Sequence, residues 1–194
     1  YKRQKSLSLP ELLLRGGIYE KFELRVETPQ YFYDDEGSAT KHDYSDFKIG
    51  AKIPLISSKK FRYSTILMFP VPVKNSESDD DNLVASLKFP FSFDLSSDVS
   101  FGGMTTVDLF KKEVDPSNTW QQTLVLGLPF DDQYGSFVEY SIDVADDTKP
   151  KSLAHGGFTY KPVPNIQLDI HGGVGLNKEA PDWLVACGFS YLTK

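Results

Sequence analysis

The 194-residue chain has one cysteine, Cys187, and only three histidines. A single thiol excludes an intrachain disulfide framework. Three scattered imidazoles give no metal-ligand spacing, so neither a metal nor any other cofactor is expected. No apolar run approaches the roughly 20 residues that a membrane-spanning helix needs. Helical periodicity is nearly absent, which argues against an α-helical bundle. The net charge is −6 and no Lys/Arg cluster with interleaved aromatics occurs, which argues against a nucleic-acid partner. No charged-then-apolar leader precedes the first strand, so the sequence is expected to start downstream of a processed or trimmed end.

What the chain does have is alternation. The apolar content of 40% is ordinary for a soluble protein. Transmembrane strands, however, alternate apolar and polar residues and so hide from averages. In 85–95 the odd positions Ala85, Leu87, Phe89, Phe91, Phe93 and Leu95 are apolar, while the even positions include Ser86, Lys88, Ser92 and Asp94. A strand sends these two sets to opposite faces. The same period recurs in Phe47-Ile49-Ala51-Ile53 against Asp46-Lys48-Gly50-Lys52, and in Phe61-Tyr63-Thr65-Leu67-Phe69 against Arg62-Ser64-Ile66. It recurs again in Ile166-Leu168-Ile170-Val174 against Gln167-Asp169-His171-Gly173, and Trp183-Val185-Cys187-Phe189-Tyr191 completes the series.

The pattern predicts strands near 9–18, 21–33, 44–55, 60–71, 82–95, 98–110, 118–130, 134–144, 152–163, 165–176 and 182–192. Many match the 9–11 or so residues of a tilted transmembrane strand. Short turns near Glu20, Ser57-Ser58-Lys59, Ser96-Ser97, Asp131-Asp132 and Pro164-Asn165 alternate with longer polar loops. Those loops hold Asp34-Asp35-Glu36-Gly37, Lys74 to Asp81, Lys111 to Asn118, Asp146 to Lys151 and Asn177 to Pro181. Short turns on one side and long loops on the other are the rhythm of an outer-membrane barrel. The fold expected is therefore an all-β, antiparallel, up-and-down transmembrane barrel forming one domain over residues 1–194. Barrels of this class usually have an even strand count. Parity thus predicts a twelve-stranded barrel with eleven strands present and the first upstream of Tyr1, unless 1–8 pairs in some shorter way.

Aromatics make up 13% of the chain. Tyr31, Phe32, Tyr33, Tyr44, Phe69, Trp120 and Trp183 fall at long-loop ends, and Tyr19, Phe22, Phe61, Phe130, Tyr134, Tyr160 and Tyr191 at short-turn ends. Both ends are populated, as two interfacial girdles require. Pro54, Pro70, Pro129 and Pro162 lie near strand ends, whereas Pro90 falls inside a strand and suggests a bulge. The glycines of 172–175 and Gly188 lack the strand-loop-helix setting of a phosphate loop and are expected to ease barrel curvature. Cys187, on the apolar face, reads as a small hydrophobe.

Two stretches resemble a known family. They are Leu12-Leu13-Leu14-Arg15-Gly16-Gly17-Ile18 with Phe22-Glu23-Leu24-Arg25-Val26, and Pro164-Asn165-Ile166-Gln167-Leu168-Asp169 continuing through Gly172 to Asn177, Ala180-Pro181-Asp182-Trp183 and Gly188-Phe189-Ser190-Tyr191. The family is that of outer-membrane proteins of the MetA-pathway of phenol degradation type. The resemblance covers both ends, and the middle by strand rhythm alone. It implies a barrel with a transport role. One departure is the tail, Tyr191-Leu192-Thr193-Lys194, where many outer-membrane barrels end on an aromatic assembly signal.

If the apolar faces meet lipid, Glu11, Arg15, Glu23, Arg25, Glu27, Lys48, Lys52, Arg62, Lys88, Asp94, Asp108, Glu139, Asp143, His155, Lys161, Asp169 and His171 line the lumen. Both signs occur, so two outcomes stand side by side: a network of paired charges that fills the interior, or a narrow polar path whose charges tune selectivity. Asp169 and His171, two apart on one face, could orient an imidazole for base catalysis. No serine stands at a convincing spacing, so no enzyme activity is expected. Asp79-Asp80-Asp81 and Asp34-Asp35-Glu36 could offer carboxylates to Ca²⁺, but such runs are usually solvated loop charge.

The leading reading is a small-molecule transporter or narrow channel in a Gram-negative outer membrane. The partners expected are outer-membrane lipid, a small solute and other outer-membrane proteins. A plugged barrel serving a larger outer-membrane complex stands as the alternative. A lipid-modifying enzyme and a soluble lipocalin-like protein with its apolar face inward are less favoured. We predict that the protein enters solution from membranes only with detergent; full solubility without it would refute the membrane reading.

Overall fold

The computed structural model describes residues 5–8, 12–18, 21–35, 40–71, 83–96, 99–110, 118–145 and 148–193. Every regular element among them is a strand: β1 (Lys5–Ser8), β2 (Leu13–Gly17), β3 (Glu23–Glu27), β4 (Tyr31–Asp35), β5 (Thr40–Tyr44), β6 (Phe47–Ser57) and β7 (Phe61–Val71), then β8 (Leu83–Asp94), β9 (Ser100–Phe110), β10 (Thr119–Pro129), β11 (Tyr134–Ala145), β12 (Lys151–Val163), β13 (Ile166–Gly175) and β14 (Trp183–Tyr191). An 11-stranded up-and-down sheet runs β14-β13-β12-β11-β10-β9-β8-β7-β6-β3-β2, and a three-stranded sheet runs β1-β4-β5. Within the large sheet, β2 and β14 are the end strands, each hydrogen-bonded to one neighbour.

The small sheet continues the large one in register. Leu13 faces Glu27, and Lys5 faces Asp35 equally far out along both strands. Glu27 faces Lys48, and Tyr31 faces Tyr44 in the same step. Hence β1–β2, β3–β4 and β5–β6 are three long strands, each interrupted once. At the interruption one side-chain bond accompanies one backbone bond at each crossing: the Leu12 amide donates to Thr28 Oγ1 (3.1 Å) while the Thr28 amide donates to the Leu12 carbonyl (3.0 Å), and the Gln30 amide donates to Ser45 Oγ (2.8 Å) while the Ser45 amide donates to the Gln30 carbonyl (2.9 Å). Pro29, which lacks an N–H, sits in this break. The eleven strands read from alternation are therefore present, but the first begins at Lys5, before the expected Leu9. Asp34 and Asp35 belong to β4, paired with Ser6 and Lys5, and not to a loop. Glu36 and Asp79 to Asp81 lie outside the described residues, as do Glu11 and Tyr19.

Chain contacts divide the protein into two compact units. One comprises Tyr1–Pro54, Thr65–Lys88 and Asp108–Asn118; the other comprises Leu55–Ser64, Phe89–Val107 and Thr119–Lys194. From β10 to β14, in the second unit, the register assigns the paired residues to two faces. On one face lie the rows Leu126-Val138-Gly156-Gly172-Val185 and Leu128-Ser136-Phe158-Ile170-Cys187. On the other lie Val125-Glu139-His155-Gly173-Leu184, Gly127-Phe137-Gly157-His171-Ala186 and Pro129-Gly135-Thr159-Asp169-Gly188. The apolar face is open: Trp183 is 69% exposed, Val185 67%, Phe189 66% and Phe158 63%. A contiguous apolar face of this kind demands an apolar medium or a partner. The polar exception is Gln122, beside Thr105. The Thr105 hydroxyl donates to Gln122 Oε1 (2.6 Å), and Gln122 Nε2 donates to the Thr123 carbonyl (2.7 Å) and more distantly to that of Met104. The amide is satisfied without water, as a group on an apolar face must be.

In the first unit the faces are less simply divided. Leu83, Ala85 and Ser86 are all buried, so both sides of β8 are covered at its start. This corrects the expectation that Ala85 stands on a freely exposed apolar face. On β7, Ile66 (3% exposed) and Met68 (1%) occupy the positions in step with Arg62 and Ser64, so the polar face carries an apolar patch there.

Several strand glycines have a role that alternation did not reveal: they make room for a large side chain on a neighbouring strand. A Cβ on Gly157 would stand 2.6 Å from the His171 Cβ, 2.7 Å from the Ile170 carbonyl and 2.8 Å from the Phe137 ring. Gly173 lies under the His155 ring, Gly188 under the Asp169 carboxylate, and Gly50 under the Met68 sulfur. A register shift between Tyr160 and Val163 places a bulge at Pro162, where the lost donor is harmless. Gly157→Val should lower folding stability by about 1–3 kcal/mol through overpacking. Gly16→Val, with nothing within 4 Å of its Cβ, should not. Urea unfolding of the two variants in lipid vesicles checks the contrast.

Candidate functional site

The charged positions read from the sequence do fall on shared faces, in two groups. In the first unit, Arg15 faces Arg25, Glu23 faces Lys52, and Glu27 faces Lys48 across successive strands. Arg25 Nε donates to Glu23 Oε1 at 2.8 Å, along its own strand. Lys88 Nζ reaches Glu27 Oε1 at 3.4 Å, and Glu27 is only 7% exposed. Ser86 donates a short hydrogen bond to Asp108. Asp46, in step with Lys48, is 1% exposed, and Met68 fills the space over Gly50. The polar face is thus closed here by packing, with ionic groups held among apolar ones.

In the second unit the same face is more open. Arg62 donates through Nη2 to Asp94 Oδ1 (2.7 Å) and through Nε to Ser92 Oγ (3.1 Å), forming an exposed clamp. Gln121 Nε2 donates to Asp143 Oδ1 at 2.6 Å. The middle rows then assemble Glu139, His155, His171 and Asp169. His155 Nδ1 stands 3.8 Å from Glu139 Oε1, and His171 Nδ1 stands 3.7 Å from Asp169 Oδ1. The two imidazoles are near parallel, with an interplanar angle of 7° and centroids 6.2 Å apart. Phe137 tilts against His171 at 6.1 Å. His155 Nε2 and His171 Nδ1 are buried and make no hydrogen bond to protein. Asp169 and His171 are therefore neighbours without the hydrogen bond that a base-orienting pair would use. No group of three or more His, Cys, Asp or Glu among the described residues can hold a metal ion.

Beyond these rows, at the β10–β11 turn, lies a cavity of about 290 Å³. Ser100, Phe137, Thr159 and Lys161 line it, with Asp131 and Asp132 from the turn. The sequence had singled out Lys161 but missed Phe137, Gln121, Asp46 and Met68. Phe137 is accessible from parity, being in step with Glu139, whereas Gln121 is identified by its pairing with Asp143, which needs register. Met68 is placed by its packing over Gly50 and Asp46 by its burial, neither of which alternation encodes.

The aromatics chosen as interfacial anchors also find places. Phe61 stacks on Phe93 at 4.4 Å, Tyr134 on Tyr160 at 4.8 Å, and Tyr31 meets Tyr44 at 5.1 Å. Phe22, Trp120, Trp183 and Tyr191 are exposed. Cys187 is exposed on the apolar face, opposite Ile170.

Two alternating faces and an up-and-down sheet now meet the comparisons with known proteins. The profile of the family described as "Putative MetA-pathway of phenol degradation" matches residues 3–193. The chain belongs to this family. Among solved structures it is similar to the NanC porin, with a TM-score of 0.61 and 8% identity over 98% of each chain. At that identity the likeness shows the fold alone, which is that of a porin-like outer-membrane barrel. Comparison with curated proteins found no match.

Removing one partner from a buried ion pair leaves the other charge uncompensated. Lys88→Met should therefore destabilise the protein by about 3 kcal/mol, the low end for such pairs because Lys48 also faces Glu27. Glu27→Met combined with Lys88→Met should recover most of that loss. Equilibrium unfolding of the single and double variants checks it.

Proposed function

We propose that this family member is an outer-membrane channel for small solutes in a Gram-negative bacterium, with the charged face lining a narrow lumen. The observation carrying this reading is the pair of unlike faces on one sheet. A wall of exposed Trp, Val and Phe suits lipid, while the opposite face bears Glu139, His155, Asp169, His171 and Lys161. Membership of a family named for a phenol-degradation pathway and the fold of a porin both support passage of solutes. Within the first unit, Met68 and Asp46 are each nearly without solvent access and leave little room beside them. Interior charges of both signs leave little bulk water and suit solutes of a few carbons.

The burial of Met68 and Asp46 also favours a second reading, a plugged barrel that serves a larger outer-membrane complex. One measurement separates the two. In planar bilayers the wild type should show small single-channel steps, and Met68→Ala, which opens space over Gly50, should enlarge them. Absence of steps in both proteins would overturn the channel and leave the plugged barrel. Steps unaltered by the substitution would take Met68 out of the path.

A further inference from the structure

The cavity at the β10–β11 turn has the makings of a solute subsite. Its size, about 290 Å³, falls at the small end of ligand pockets, which run from roughly 300 Å³ upward. Two glycines keep it open. A Cβ on Gly127 would meet Ser100 Oγ at 2.5 Å, and one on Gly135 would meet Thr159 Oγ1 at 3.0 Å. Both hydroxyls are thus left free of overlying side chains along the wall.

The charges in the cavity are unequal in availability. Asp131 Oδ1 accepts the amide hydrogens of Gln133 and Tyr134, each at 2.7 Å, which holds this carboxylate against the turn while its negative charge still opposes an anion. Asp132 is exposed in the turn itself, at the rim. Lys161 stands on β12, in step with Thr159, and its amide bonds the Gln133 carbonyl at 2.7 Å, fixing the strand against the turn. Among the described residues, no carboxylate lies within ion-pair distance of its ammonium. Among the described residues the wall therefore presents one cation without a carboxylate partner, two hydroxyl donors and the Phe137 ring.

We propose that this cavity binds small monocarboxylates, with Lys161 and the Ser100 and Thr159 hydroxyls holding the carboxylate and Phe137 taking a short apolar tail. The proposal rests on the reading of the charged face as a solute path and names the class of solute held at its short-turn end. A charge-assisted hydrogen bond gives the anion its hold, and the ring rewards each added methylene. Acetate should accordingly bind more weakly than butyrate, and Asp132, at the rim, should oppose both.

Equilibrium dialysis of labelled acetate and butyrate against the detergent-solubilised protein tests binding without requiring conduction. The wild type should retain butyrate at millimolar concentration and acetate less well. Lys161→Gln should weaken butyrate binding about tenfold, as expected for loss of a charged partner. Lys161→Arg should preserve it, and Asp132→Asn should strengthen it. Phe137→Ala should erase the preference for butyrate. Lys161 is exposed, so its replacement leaves the fold intact, and an unchanged β-sheet circular dichroism spectrum verifies this. No retention of butyrate by the wild type, or equal retention by Lys161→Gln, overturns the proposal. Bilayer conductance without butyrate retention would sink the subsite and spare the channel; retention without conductance would do the reverse.

Discussion

The constraint on which the structure depends is that the backbone groups of a strand must find their hydrogen-bond partners in other strands. A stray N–H or C=O kept from water costs about as much as a lost hydrogen bond. This demand fixes the backbone into long antiparallel ladders and leaves side chains as the only variable. Each strand then has two audiences, and the residue at every second position answers one of them. Where the ladder is interrupted, as between β3 and β4, Thr28 and Ser45 hydroxyls accept the amide hydrogens that the break would leave unbonded. Even the polar intruder Gln122 obeys the same demand, by spending its amide on Thr105 and on nearby carbonyls.

A second constraint follows on the polar side. Neighbouring strands lie about 4.8 Å apart, too close for large side chains to stand opposite one another in every row. The chain answers with exchange of size: Phe137 and His171 flank Gly157, His155 leans over Gly173, Asp169 over Gly188, and Met68 over Gly50. Glycine here is a receptacle for a neighbour's bulk. That arrangement brings His155 and His171 into parallel contact, although they sit in different rows of the sheet. It also clears the small wall around Ser100 and Thr159.

Much of this was legible in the sequence because period two is a local signal. Alternation located the strands, and parity put Glu139, His155, Asp169 and His171 on one face before any pairing was known. What it did not reveal was register, which depends on pairing between distant segments. Without register, Gly157 could not be matched to His171, nor Gly50 to Met68. The interruption near Pro29 was invisible for a related reason: alternation carries the strand 21–33 straight through it, whereas β3 stops at Glu27 and the ladder resumes at Tyr31 in the same step. Ile66 and Met68 show the opposite failure. They obey the alternation in position but not in polarity, and their burial follows from the packing around them.

That resumed register has a structural consequence. Where β3 passes into β4 and β5 into β6, backbone and side-chain hydrogen bonds cross the break together. The two parts of each strand therefore keep one register, and removal of a single residue from 28–30 would turn every pair beyond it onto the opposite face.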